Sequence, residues 1–362
     1  MKKKKKPNYK LRRTIAKIIL AILILTPIIY FNRVRIIHVP LQIKYHKYSD
    51  VVNSLFNAKY TNKEASNTLD KLIKKKKINS YTDDYIVSLK DKGYSKNTIS
   101  YILVNFKPGD IKSLINGKYD KDIETMIKIS YFDYNNYDRY LNYRKDSEDI
   151  KRTVLKVQLD LDKDSYSDTV EETNPDSLTS LISKHRYINE DYEPNDLVDM
   201  SDDYANNYYR QMQLRSEAYE SFKKIVDAAR EERLNFYAES GYRTFKFQKQ
   251  LYNNYVNNNG YAKANLYAAR AGFSEHQLGT AVDLANIYTI EETDEEYKWI
   301  MKNGYKYGWI FRYTEDWTDL TGFAKEPWHI RYVGVDVATK MHEENISFEE
   351  YWIKYVNKKE AK

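Results

Sequence analysis

The sequence predicts an α+β protein in three parts. An N-terminal transmembrane helix precedes a mainly helical region, and a C-terminal domain with a small antiparallel sheet and packed helices follows. Three observations predict this. A basic and then apolar segment opens the chain. Short amphipathic stretches with helix-start residues come next. Beyond about residue 176, helical and alternating stretches follow one another in mixed order, as in an α+β fold. The chain has 362 residues, 42% of them hydrophobic, which allows two domains or one domain and a stalk. Its 36 tyrosines make the core rich in rings with polar tips.

Residues 1–14 read as a cytoplasmic basic tail and residues 15–31 as a membrane anchor. Lys2, Lys3, Lys4, Lys5 and Lys6 are followed by Lys10, Arg12, Arg13 and Lys17, and residues 18–31 are apolar. Counting Ile15 and Ala16, roughly 17 helical residues span about 25 Å, enough for a thin bilayer. Residues 1–49 hold thirteen Lys and Arg and no acid, which keeps the N-terminus inside and the C-terminal domain outside the cell membrane. No small-x-small cleavage pattern follows the apolar run, so the anchor is expected to be single-pass and uncleaved. Of the net charge of +7, the first 49 residues supply +13 and the rest carries −6. That argues against nucleic acid as a partner. The absence of cysteine removes disulfides, thiolate metal sites and cysteine nucleophiles.

Residues 32–175 read as a helical spacer or interaction region. Helix openings recur where Thr61, Thr82, Ser95 and Asp120 each follow a tyrosine. The basic run 74–77 reads as a solvated helix end. Residues 153–161 alternate apolar and polar and read as a strand, and the acidic, turn-rich stretch 160–175 marks a boundary.

The C-terminal domain, residues 176–362, reads as helix 215–233, with Ala218, Phe222, Ile225, Val226 and Ala229 at helical spacing. Leu234, Phe236 and Ala238 then alternate as in a strand. A second helix carries Phe247, Leu251 and Tyr255 on one face. Strands are expected at 281–285, 308–313 and 328–333. Helices are expected at 291–303, capped by Gly304, and from Asp336 to about Tyr355.

Chemistry concentrates in two short stretches. His276 and Asp283 flank Gly279, which permits a turn into the strand that carries Asp283. Glu326 and His329 flank Pro327, a break that lets both side chains enter one cavity. Both pairs contain ligands suited to a borderline metal such as zinc. Taken singly, each is better explained as a satisfied core histidine or a surface ion pair.

In combination the residues resemble the VanY-type D-alanyl-D-alanine carboxypeptidase family of zinc D,D-peptidases. The resemblance is carried by Ser240-Gly241-Tyr242-Arg243-Thr244, by Ser274-Glu275-His276-Gln277-Leu278-Gly279-Thr280-Ala281-Val282-Asp283, by Lys306-Tyr307-Gly308-Trp309-Ile310 and by Glu326-Pro327-Trp328-His329-Ile330-Arg331-Tyr332-Val333-Gly334. Asp191-Tyr192-Glu193-Pro194-Asn195-Asp196-Leu197-Val198 resembles the entry to that domain. The resemblance implies Zn2+ held by His276, Asp283 and His329, with Glu326 as catalytic base. It also implies that Arg243 receives the substrate carboxylate and that Ser274 and Gln248 line the substrate site. Ala271 stands where the family often has proline, and Trp309 where it usually has phenylalanine.

With three protein ligands, zinc keeps a position open for water and lowers its pKa to about 7. The implied reaction is hydrolysis of the C-terminal D-alanine from peptidoglycan stem peptides. The alternatives are an L,D-carboxypeptidase acting on tetrapeptide stems, a peptidoglycan endopeptidase, and a non-catalytic wall-binding protein.

Overall fold

The computed structural model describes residues 40–145 and 149–357. The expected anchor at 15–31 and tail at 1–14 lie outside the described residues. Among the described residues, no helix is long and apolar enough to cross a membrane. The chain divides into two compact units, one ending at Lys128 and one beginning at Ile129.

The first unit is helical, as expected: α1 (Ser49–Asn57), α2 (Asn62–Lys74), α3 (Thr82–Lys92), α4 (Lys96–Asn105) and α5 (Pro108–Asn116). Thr61 opens α2 in a reciprocal capping box with Glu64. Ser95 caps α4 through the Thr98 amide. The basic run does end α2, at Lys74. Val52, Leu55, Leu69, Leu72, Ile86, Leu89, Ile102 and Leu114 are fully buried and make the core of this unit.

The second unit contains α6 (Ile150–Gln158), the short pair β1 (Leu197–Asp199) and β2 (Gln213–Arg215), α7 (Ser216–Glu231), β3 (Tyr237–Ser240) and α8 (Phe245–Tyr267). Then come β4 (Ala281–Ala285), α9 (Glu295–Asn303), β5 (Trp309–Phe311), β6 (His329–Tyr332), α10 (Val335–Glu344) and α11 (Phe348–Tyr351). Strands β3, β4, β6 and β5 form one antiparallel sheet in that spatial order.

Three expectations need correction. Residues 153–161, read as a strand, lie mostly in helix α6. Val154, Leu155 and Val157 are buried together, so their spacing serves a helix rather than a two-residue alternation. Leu155 and Leu159 pack with Val333, Ala338, Phe348 and Trp352, so this stretch belongs to the second unit. The expected C-terminal helix is broken at Asn345, whose φ of 49° is left-handed, and resumes only at Phe348.

The alternation of the sheet sorts its side chains. Val282, Leu284 and Ile330 join Phe222, Ile225, Val226 and Ala229 of α7 in the main core. Asp283 and His329 therefore project from the opposite face. The pairing register aligns Ser240 with Asp283 and Asp283 with His329, one row across three strands. A bulge between Ala238 and Ser240 sets the β3 end of that row.

Candidate metal centre and its substrate cleft

His276 reaches the same place from a 3-10 turn, Glu275–Leu278, that precedes β4. Ser274 caps that turn by accepting from the His276 amide. Gly279 ends it with a φ of 66°, and a side chain there would stand 2.9 Å from Leu197 and 3.0 Å from Arg215. The turn into a strand that Gly279 led us to expect is thus present.

One oxygen of Asp283, Oδ1, lies 3.3 Å from His276 Nε2 and 3.0 Å from His329 Nδ1. The ligand atoms of the three residues all lie within 4.8 Å of one another and could hold a metal ion. The remaining ring nitrogens are engaged elsewhere. His276 Nδ1 is 2.7 Å from the Gly241 carbonyl, and His329 Nε2 is 3.3 Å from Glu275 Oε2. With a cation bound, donation by those nitrogens would leave the lone pairs of His276 Nε2 and His329 Nδ1 free to face it, the orientation a metal ligand needs. Gly241 itself lies against β2, where an added side chain would stand 2.5 Å from the Gln213 carbonyl oxygen.

The electrostatics agree with the fit. Burial, reinforced by Arg243, pushes His276 down to about 4, so its ring is neutral at pH 7. Burial opposes charge on His329, yet hydrogen bonds to Asp283 and Glu275 raise it to about 9. Burial opposes charge on Asp283, yet the groups around it, Arg243 and the hydrogen-bonded His329 among them, hold its carboxyl well below the usual carboxylate range. A field that favours a proton on His329 also favours a cation beside it, and binding of the cation displaces that proton.

Glu326 stands beside this group. Its amide donates to the Tyr313 carbonyl at 2.8 Å, and its carbonyl accepts from the His329 amide at 3.1 Å, closing a turn over Pro327. The carboxylate is 4.0 Å from His329 Nδ1, and burial pushes its pKa up to about 7. Arg243 donates through Nε to Ser240 Oγ at 2.9 Å, through Nη1 to Gln248 Oε1 at 3.4 Å, and through Nη2 to Asp283 Oδ2. Gln248 is in turn held by donation to the Ala269 carbonyl at 2.8 Å.

All seven residues that the sequence singles out line one cavity of about 340 Å³, together with Leu251, Tyr255, Tyr313, Phe323 and Trp328. The structure adds five that the sequence reading passed over. Ser240 orients Arg243. Glu275 accepts from Arg312 Nε at 2.8 Å and lies 3.3 Å from Arg331 Nη1, while Arg312 Nη2 pairs with Glu349 at 2.6 Å. Ser240, Glu275 and Arg331 sit inside the quoted motifs, but their partners are 3 to 56 residues away. No local spacing shows the contacts of Glu275 with Arg312 and Arg331.

The sequence profile of the VanY family, described as D-alanyl-D-alanine carboxypeptidase, matches residues 211–335. Over 251 residues, 67% of this chain and 90% of the relative, the chain is 32% identical to YodJ of Bacillus subtilis. The chain belongs to the VanY family. It is also 37% identical to a D-alanyl-D-alanine carboxypeptidase of Enterococcus faecium over 177 residues, 47% of this chain and 56% of that enzyme. A mutant of the vancomycin-resistance D,D-pentapeptidase VanY, solved with Zn(II), is 32% identical with a TM-score of 0.42. That match covers 48% of this chain and 97% of the other. The VanY-family match includes β2 through β6 and every candidate site residue.

Proposed function

We propose that this chain is a zinc-dependent D,D-carboxypeptidase that removes the terminal D-alanine from peptidoglycan stem peptides. The observation that carries the reading is the convergence of His276, Asp283 and His329 within 4.8 Å. Zinc, when bound there, supplies Lewis acidity toward a carbonyl and toward water at neutral pH. Glu326, poised near pH 7 by burial, takes the proton of the attacking water and delivers it to the leaving amine. Arg243, oriented by Ser240 and Gln248, receives the substrate's C-terminal carboxylate through parallel hydrogen bonds. That selects exopeptidase chemistry, because an internal peptide bond offers no carboxylate. Ser274 and Gln248 complete the wall of the cleft.

The basic and apolar composition of residues 1–31 supports anchoring of the enzyme in the cell membrane, with the catalytic unit outside. Retention in the membrane fraction after a high-salt wash is expected, and release by salt alone would remove the anchor from the account. Activity is tested with zinc-loaded protein and muropeptides read by mass. Loss of one D-alanine from a pentapeptide stem supports the reading. Loss from a tetrapeptide stem alone would make the chain an L,D-carboxypeptidase, and cleavage within the stem an endopeptidase.

A further inference from the structure

Helix α8 carries an apolar stripe of Phe247, Leu251 and Tyr255, in which Leu251 and Tyr255 pack on one side against Tyr252, Ala264 and Ala268 and also face outward. Phe247 is 39% exposed, and Leu251 and Tyr255 are half-buried. Beside it runs a stripe of exposed amides, Gln250, Asn254 and Asn258. Spacings of three and four residues put both stripes on one side of the helix. Together they line a groove of about 380 Å³. Leu251 and Tyr255 also line the catalytic cavity, so groove and cavity adjoin. Among the described residues, those lining the groove carry no charge. The Arg210 guanidinium stacks 4.4 Å from the Phe247 ring and steadies it.

We propose that this groove is a subsite for the sugar strand of the substrate, a chain of neutral N-acetylated amino sugars. The inference rests on the D,D-carboxypeptidase reading. A stem peptide carries carboxylate and ammonium groups, and the lining side chains, uncharged along the groove with Arg210 only at its Phe247 end, would desolvate most of them without compensation. A pyranose ring has an apolar C–H face that packs on aromatic side chains. Its hydroxyl and acetamido groups both donate and accept, as the amides of Gln250, Asn254 and Asn258 do. The groove therefore favours stems still attached to sugar over free stem peptide.

The test compares kcat/KM for a disaccharide-pentapeptide and for the free pentapeptide, with the full chain and its Asn254→Ala/Asn258→Ala variant. Both positions are exposed on a helix, where alanine preserves folding. The wild-type chain is expected to prefer the sugar-bearing substrate by about tenfold, and the variant to lose most of that preference. Equal kcat/KM for the two substrates, or an unchanged ratio in the variant, overturns the proposal. If neither substrate turns over, the D,D-carboxypeptidase reading fails, and calorimetric titration with a peptide-free N-acetylglucosamine oligomer then decides the subsite. Saturable binding that the variant loses supports it, and absence of binding by the wild-type chain overturns it.

Discussion

Glu275→Gln is the most informative single substitution, because it separates support of the metal centre from support of the fold. Glu275 is fully buried between Arg312, Arg331 and His329. Its pKa is driven down although burial opposes this, with the two guanidiniums as the main cause. Removing one carboxylate leaves two buried guanidiniums with only Glu349 nearby, and breaking such a buried pair costs about 3–5 kcal/mol. The glutamine oxygen can still accept from Arg312, which turns its NH2 group toward His329 Nε2. A donor there drives the ring proton to Nδ1, the atom that faces Asp283, so metal affinity should fall by about 10–100-fold. Glu349→Gln is the control. It removes an equally buried charge, paired with Arg312 at 2.6 Å, without touching His329. Urea unfolding with chelator present measures the fold term without metal linkage. All five tryptophans, from Trp299 to Trp352, lie in the second unit, so their fluorescence reports that unit alone. Competition with a chelating dye measures zinc affinity. Both variants should be destabilised by about 3 kcal/mol or more, and only Glu275→Gln should bind zinc weakly. A Glu275→Gln loss under about 1 kcal/mol, or equal zinc weakening by both variants, would refute the reasoning.

Glu326→Gln should retain stoichiometric zinc and lose turnover by about 10²–10⁴-fold, whereas His329→Ala should lose the metal itself; near-normal activity of Glu326→Gln would remove it as the base. Arg243→Lys keeps the charge but not the bidentate fork, so KM for a free C-terminus should rise by about tenfold or more. Comparable wild-type activity on a C-terminally amidated peptide would contradict that role. Lys184 donates to the carbonyls of Asn265 and Gly322, and burial with help from Arg270 lowers it from its ordinary 10.5 to about 8. Between those values the unfolded chain binds more protons than the folded one, so this residue's contribution to stability rises with pH across that window. Lys184→Met should show a shallower rise from pH 8 to 10.5 than the wild-type chain, and identical slopes would contradict the assignment.

The candidate metal site was legible because the residues that could hold an ion sit in short stretches whose backbone breaks are written in the sequence. Gly279 and Pro327 mark the turns that bring His276 and Glu326 toward the row of Asp283 and His329. Strands β4 and β6 were legible for the same local reason, with one face apolar at Val282, Leu284 and Ile330. What the sequence concealed depends on partners distant in the chain. Glu275 meets Arg312, 37 residues on, and Arg312 meets Glu349 of α11, only once the chain has folded. The stretch 153–161 misled because Leu155, Val157, Leu159 and Leu161 recur at every second position as in a strand, while Leu155 and Leu159, four apart, also share a helical face. Tertiary burial against Val333 and Phe348 selects the helix.

Mass analysis of muropeptides after incubation with the zinc-loaded chain tests the central claim most directly. The account predicts loss of a single D-alanine from pentapeptide stems, abolished by chelation and restored by zinc. A chain that binds zinc at the His276, Asp283 and His329 site yet leaves the pentapeptide intact would contradict it.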